Sequence, residues 1–271
     1  MKIIADSTCD IPLEEAKEKG IEIIPMTLFF GKKEYIDKVT ITDSEFYKKL
    51  SETSEPPKTT LINSGRFLEE FEKYPDEEIL VICLSSELSG TYGCACTACG
   101  MTERKDIRVL DTKSVTIGSV LLIDEAVRMR NEGKTLDEIF DSLCALREKI
   151  KVIAAVDTLK YLVLGGRISG FSGKIGTLLN IKPIICSDNG KIINIGKARG
   201  KTAAFEKLKE NVLTTFRMDM SRPILYAHTG DKESVDMLKK IIGRDAPDYI
   251  LGSIVGTHAG PGTVGIAYFT E

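Results

Sequence analysis

The sequence predicts an α/β protein built as two units, a parallel-sheet α/β/α domain over residues 1–150 and a mixed-sheet α/β domain over residues 151–271. Three observations carry this. Strand-like and helix-like segments alternate through the first half, the pattern of a parallel sheet with helices on both faces. In the second half two apolar runs flank Asp188-Asn189-Gly190, and an Asn-Gly pair in that position marks an antiparallel hairpin. The length of 271 residues, 42% of them apolar, is long for one core and comfortable for two.

Taken in order, Lys2–Ala5 reads as a strand, Leu13–Lys19 as a helix and Ile21–Met26 as a strand. Thr42-Asp43-Ser44-Glu45 is a capping box that opens a helix through Leu50. Ser64–Tyr74 reads as a helix, with Ser64 as its cap. Ile79–Leu84 is a continuous apolar run, the mark of a strand buried on both faces. A helix from near Ser89 follows, then a strand at Ile107–Leu110 and a long helix from Val115 to Arg130. Thr135-Leu136-Asp137-Glu138 is a second capping box, starting a helix with Ile139, Phe140, Leu143 and Leu146 on one stripe. Beyond residue 150, Val152–Val156 is a strand and Pro183–Ser187 with Lys191–Ile195 form the hairpin. Thr202–Phe216 and Lys232–Ile242 are helices, the second capped by Asp231. The chain closes with extended runs at Tyr249–Val255 and Thr263–Phe269 around a glycine loop.

Charge and composition narrow the function. With 40 acidic and 37 basic residues the net charge is −3, without the basic excess of a nucleic-acid binder. No apolar run approaches the ~20 residues of a membrane span, so membrane contact is expected to be transient and at the surface at most. Met1–Asp6 lacks the pattern of a signal peptide, and the expected location is the cytoplasm. Seven cysteines, an odd number, point to free thiols in a reducing compartment. Cys96 and Cys99 would share a helix face with no second cysteine pair or histidine pair for zinc, so they and Cys94 read as small core residues, with a redox role for the Cys96–Cys99 pair as the alternative. No metal or cofactor is expected.

Four loops hold the residues that could carry chemistry, three of them expected at strand ends, where open α/β sheets place ligands. In Lys58-Thr59-Thr60-Leu61-Ile62-Asn63-Ser64-Gly65, the Thr59 and Thr60 hydroxyls can donate to an anion, or the segment is simply a loop into a helix. In Leu84-Ser85-Ser86-Glu87-Leu88-Ser89-Gly90-Thr91, Ser89 either caps the next helix or meets an anion drawn by its N-terminus. The stretch Leu164–Gly173 has four glycines around Arg167, which suits a carboxylate or phosphate, or is a surface arginine. In Gly256-Thr257-His258-Ala259-Gly260-Pro261-Gly262, His258 sits between two expected strands. His228 is explained by the neighbouring Asp231 cap. Nucleophile-elbow and His-Glu-x-x-His signatures are missing, and Gly196–Thr202 has three residues between its glycines where a phosphate loop has four.

Together and in this order, the loops resemble the DegV family. The matching segments are Asp6-Ser7-Thr8, Lys58-Thr59, Leu84-Ser85-Ser86 with Leu88-Ser89-Gly90-Thr91-Tyr92, Gly165-Gly166-Arg167-Ile168, Ile181-Lys182-Pro183-Ile184 and the closing His258 loop. Where the family usually continues the threonine with Ser-Gln-Pro-Ser, this chain has Thr60-Leu61-Ile62-Asn63; Cys9 stands where serine is common. The resemblance implies a two-domain fold related to dihydroxyacetone kinases. It implies a protein that buries a long-chain fatty acid and presents its carboxylate to a separate ATP-dependent kinase subunit with a dihydroxyacetone-kinase-like domain, the product being an acyl phosphate. By the same resemblance Thr59 and Ser89 hold the carboxylate, His258 and Arg167 orient it or help at the transfer step, and Arg199 lies near the ligand mouth. The alternative class is an enzyme in its own right, a hydrolase or kinase using Ser89 as nucleophile and His258 as base.

Overall fold

In the computed structural model, which describes residues 1–170 and 180–271, the strands fall into three sheets. Strands β1 (Lys2–Asp6), β2 (Ile21–Ile24), β6 (Ile79–Cys83) and β7 (Ile107–Asp111) form an all-parallel sheet in the order β2-β1-β6-β7. The central β6 is buried along its whole length, as its unbroken apolar run requires. Strands β3 (Thr27–Phe30), β4 (Lys33–Ile36) and β5 (Lys58–Thr60) form a small antiparallel sheet in the order β4-β3-β5. After residue 150 comes a mixed sheet, β10-β9-β8-β13-β11-β12. It is built from β8 (Ile150–Ala155), β9 (Ile181–Asp188), β10 (Lys191–Arg199), β11 (Ile224–His228), β12 (Asp248–Ile250) and β13 (Val264–Phe269), of which only β11 and β12 pair in parallel.

Local signals positioned the helices. Both capping boxes form, Thr42 with Glu45 at the start of α2 (Asp43–Glu52) and Thr135 with Glu138 at the start of α6 (Leu136–Leu146). The hairpin turns at Asn189 and Gly190, both at positive φ, with Asp188 facing Lys191. Asp231 accepts from the Ser234 N–H at the start of α9 (Lys232–Ile242). The other helices are α1 (Leu13–Glu18), α3 (Ser64–Phe71), α4 (Thr91–Met101), α5 (Ile117–Asn131), α7 (Lys160–Gly165), α8 (Lys201–Glu210) and α10 (Ser253–Ala259).

Helix α5 joins the two large sheets. It touches β6 on one side and β8, β11 and β13 on the other. Ile117, Val120, Leu122 and Ile123 are fully buried within one apolar cluster that also holds Ile3, Leu80, Ala227 and Phe269. Each such Leu or Ile contributes about 1.5–3 kcal/mol of burial, so the sheets share a core rather than meeting at a polar seam.

Several expectations are corrected. The first half is not alternation alone, because β3–β5 interrupt it, and Lys58-Thr59-Thr60 is a strand rather than a loop. Asn63, not Ser64, caps α3, accepting from the Arg66 N–H. Tyr249–Val255 is not one extended run: β12 ends at Ile250 and the chain enters α10, which carries His258. Helix α10 includes Gly256 because a Cβ there would lie 2.6 Å from the Tyr47 hydroxyl and 2.7 Å from the Phe46 ring of α2. Of the loops expected at strand ends, only Leu84–Thr91 follows a strand directly; Arg167 follows α7. Residues Phe171, Ser172 and Gly173 of that glycine-rich stretch lie outside the described residues. Helix α8 gives way to a π turn at Asn211–Thr215. On α4 the buried small residues are Ala95 and Ala98, while Cys94, Cys96 and Cys99 are half-buried and all seven cysteines are free.

Candidate functional site

A cavity of about 420 Å³ lies where the carboxyl ends of the parallel strands face the mixed sheet, the place an open α/β sheet offers a ligand, and within the size range of small-molecule sites. Thr8 follows β1, Leu84 follows β6 and Val115 follows β7 on one side. The opposite wall is one face of the mixed sheet. Ile185, Ala154, Gly265 and Ala227 stand in a single row across β9, β8, β13 and β11, and all four line the cavity. Three are small, which leaves room above the sheet; the opposite face, with Ile153, Ile184 and Ile266, packs into the core under α8 and α9.

Thr59, Ser89, Arg167 and His258 all line this cavity. The Thr59 hydroxyl lies 2.9 Å from His258 Nε2, joining β5 to α10 across 199 residues of sequence. Gly165 makes the approach possible, since a Cβ on it would lie 2.3 Å from His258 Nδ1. That nitrogen is buried without a partner among the described residues. His258 is half-buried, and burial first, then the positive charge of Arg167, pushes its pKa down to about 4. The imidazole is therefore neutral at pH 7. With Nε2–H donating to Thr59, the threonine proton is left for a ligand.

Ser89 shows the same economy. Its oxygen accepts from the Thr91 N–H at 3.2 Å and lies 2.9 Å from the Thr91 hydroxyl. Thr91 Oγ1 in turn accepts from the Ile62 N–H at 3.4 Å, tying the second loop to the segment after β5. With Thr91 donating, Ser89 holds two incoming bonds and its own proton is free. Ser89 thus helps start α4 and faces the cavity as well. Arg167 Nε donates to the Leu88 carbonyl at 3.3 Å and its Nη1 to the Gly165 carbonyl. It forms no salt bridge among the described residues, so a half-buried cation stands beside two hydroxyl donors with no anion to match it.

A smaller cavity of about 280 Å³ shares Thr59, Arg167 and His258 with the first and is otherwise lined by residues such as Pro56, Lys58, Tyr161 and Leu164. The polar group is a partition between an apolar interior and a recess flanked by the exposed Lys58 and Leu164.

Arg199 is not brought to this group. It is exposed at the last position of β10, opposite Ile181, and is not among the residues lining either cavity. Nor do Ser89 and His258 pair as nucleophile and base, since each is engaged elsewhere. His228 accepts from the Gly230 N–H and lies 3.2 Å from Asp248, a structural role. The altered segment after Thr59 sends Leu61 into the cavity and Ile62 into the core. Asp6 accepts from the Thr8 N–H and hydroxyl and from the Leu84 N–H, pinning two strand ends at the cavity rim. The apolar lining and Thr116, also in the wall, were invisible in sequence because cavity-facing and core-facing apolar residues look alike. Among the described residues no cluster of three or more His, Cys, Asp or Glu could hold a metal, and no helix is long and apolar enough to cross a membrane.

Fold and site together define an α/β binding protein with an apolar cavity ending in a hydroxyl-and-cation group. The family profile described as "Uncharacterised protein, DegV family" matches residues 1–271, and the chain belongs to that family. It is 34% identical over 278 residues to a DegV domain-containing protein of Clostridium acetobutylicum, covering 99% of this chain and 98% of that one. Among solved structures it is similar to a DegV lipid-binding protein from Thermotoga maritima, with TM-score 0.86 and 28% identity over 99% of this chain and 98% of the other. It is also similar to a DegV family protein from Thermus thermophilus described for its fatty acid binding, with TM-score 0.89 and 27% identity over 100% and 99%.

Proposed function

We propose that this protein binds a long-chain fatty acid, with the acyl chain in the larger cavity and the carboxylate on Thr59 and Ser89 beside Arg167 and His258. In this reading it acts in the cytoplasm and hands the carboxylate to a separate ATP-dependent kinase subunit. The observation that carries the reading is the pairing of an apolar cavity with a polar end where the Arg167 cation has no salt bridge among the described residues. Burying a ~16-carbon chain at ~0.8 kcal/mol per methylene yields about 12 kcal/mol gross. Ordering the chain and losing its free translation take back several kcal/mol, which leaves tight binding without any chemistry on this chain. A buried carboxylate needs hydrogen-bond donors and a compensating charge, and two hydroxyl protons and one guanidinium answer that need.

The solved relatives named above support the ligand class. Presentation to a kinase is supported by the resemblance of the loops and by the outward recess on the far side of Thr59 and His258. Organic extraction of the purified protein followed by mass spectrometry tests ligand binding: a C14–C20 fatty acid at near-stoichiometric yield is expected, by the chain-burial argument. Recovery of none, together with no uptake of added fatty acid, would sink the reading. Turnover of esters or ATP by the isolated protein would favour the enzyme class instead.

A further inference from the structure

The larger cavity is walled almost throughout by buried or half-buried residues. Among the described residues that line it, only Thr60, Leu61 and Gly90 are exposed. They meet at one place, where the segment leaving β5 passes the loop before α4, and that place is the mouth. Deeper lining such as Ile117, Leu251 and Ile254 is shielded from solvent. Thr59 stands two residues before Leu61, and Ser89 directly before Gly90. The mouth therefore opens beside the two hydroxyls that face the cavity.

Leu61 lies across this mouth. Its side chain is 45% exposed although it lines an apolar cavity. A Cβ on Gly90 would come within 3.0 Å of Leu61 Cδ2, closer than carbon atoms pack comfortably. Gly90 has φ −71° and ψ 0°, so its backbone does not call for glycine; the approach of Leu61 does. The chain on either side of Leu61 is anchored. Thr59 is paired with Leu28 in β3 and held to His258. Ile62 is buried, and its N–H donates to Thr91 Oγ1 at 3.4 Å. What is free to move is the Leu61 side chain, which turns about its own torsions against a glycine.

Resting on the fatty-acid reading above, we infer that Leu61, seated on Gly90, is the gate through which the acid enters and leaves, methyl end first. A carboxylate leading the way would have to cross the apolar interior unpaired, which is costly. A chain that leads leaves its head at the rim, between Thr59 and Ser89. With the Leu61 side chain down on Gly90 the mouth is narrowed, and passage in either direction displaces it.

The test is stopped-flow uptake and release of cis-parinaric acid, a fluorescent fatty acid, by the full-length protein. Leu61→Ala should speed both uptake and release about three- to tenfold, because opening the mouth no longer gives up the packing of a half-buried leucine. The equilibrium affinity should move less than either rate. Leu61→Phe, with a larger side chain over the same glycine, should slow both. Leu164→Ala, at a residue that lines only the smaller recess, should leave both rates at wild-type values. Rates unchanged by Leu61→Ala would overturn the inference. So would faster release with unchanged uptake, which marks Leu61 as a ligand contact and not a gate. Faster exchange in Leu164→Ala would overturn it as well, by placing the route through the recess. Failure of the wild-type protein to bind the probe at equilibrium would instead overturn the fatty-acid reading, and the gate with it.

Discussion

Gly165→Ala is the sharpest single probe of the polar group. Gly165 is the last residue of α7 and does not need a left-handed backbone, so on helix propensity alone alanine should stabilise by up to about 1 kcal/mol. The structure predicts the opposite. The added methyl would lie 2.3 Å from His258 Nδ1 and 3.0 Å from Cε1, so the ring must retreat by roughly 1 Å to reach ordinary contact. Overpacking of this kind costs about 1–3 kcal/mol. Because Nδ1 is pushed on one edge of the ring and Nε2 meets Thr59 on the other, the retreat displaces Nε2 from its 2.9 Å contact with Thr59, and spoiling that bond costs about 1 kcal/mol more. Thr59 then loses the partner that orients its proton. Fatty-acid affinity, followed by displacement of a fluorescent fatty acid, should fall about five- to tenfold, with a lower urea midpoint. A variant that is more stable than wild type and binds within twofold of it would refute the reasoning.

Other outcomes follow from the same geometry. Thr59→Ala and Ser89→Ala should each weaken fatty-acid binding about tenfold, the loss of one hydrogen bond to a charged group, with unchanged far-UV circular dichroism; unaltered affinity in both would remove these hydroxyls from the site. Ala154→Leu places a large side chain in the centre of the small-residue row and should exclude C18 acids more strongly than C12 acids in a competition assay. His258 titrates in the unfolded chain near its ordinary 6.5 but at about 4 when folded. Between those pH values the unfolded state holds the extra proton, so stability is complete above pH 6.5 and declines as pH falls toward 4, by at most about 3 kcal/mol. His258→Gln should flatten that acid limb in urea titrations at pH 4.5 and 7.

What was legible in the sequence was what is decided locally. The two Thr-x-x-Glu boxes close within one turn, the Asn-Gly turn fixes its own hairpin, and the run Ile79–Cys83 has only one environment that suits five consecutive apolar side chains. Elements decided by distant partners were misread. Lys58-Thr59-Thr60 has a strand's conformation because β3 offers it an edge. Ser253–Ala259, rich in β-branched residues and glycine, is poor in helix propensity, yet it coils because Gly256 fits against Phe46 and Tyr47 and because its ends are held by Tyr161 and Asp37 neighbours. The candidate site divides along the same line. Thr59, Ser89, Arg167 and His258 stood out as polar residues in glycine-rich or hydroxyl-rich segments and converge on one cavity. Arg199 had only its charge to mark it and lies elsewhere. Thr116 and Ala227 gave no signal, since a threonine before a helix and an alanine in a strand are ordinary until the fold opens a cavity beside them.

The central claim, that the cavity selects a carboxylate at Thr59 and Ser89 rather than merely absorbing a hydrocarbon chain, is tested most directly by competing palmitic acid against hexadecanol for the same protein at pH 7. The charged head should gain two hydrogen bonds and the Arg167 charge, so the acid should bind at least about tenfold more tightly than the alcohol. Equal affinity for the two, or tighter binding of the alcohol, would contradict the account.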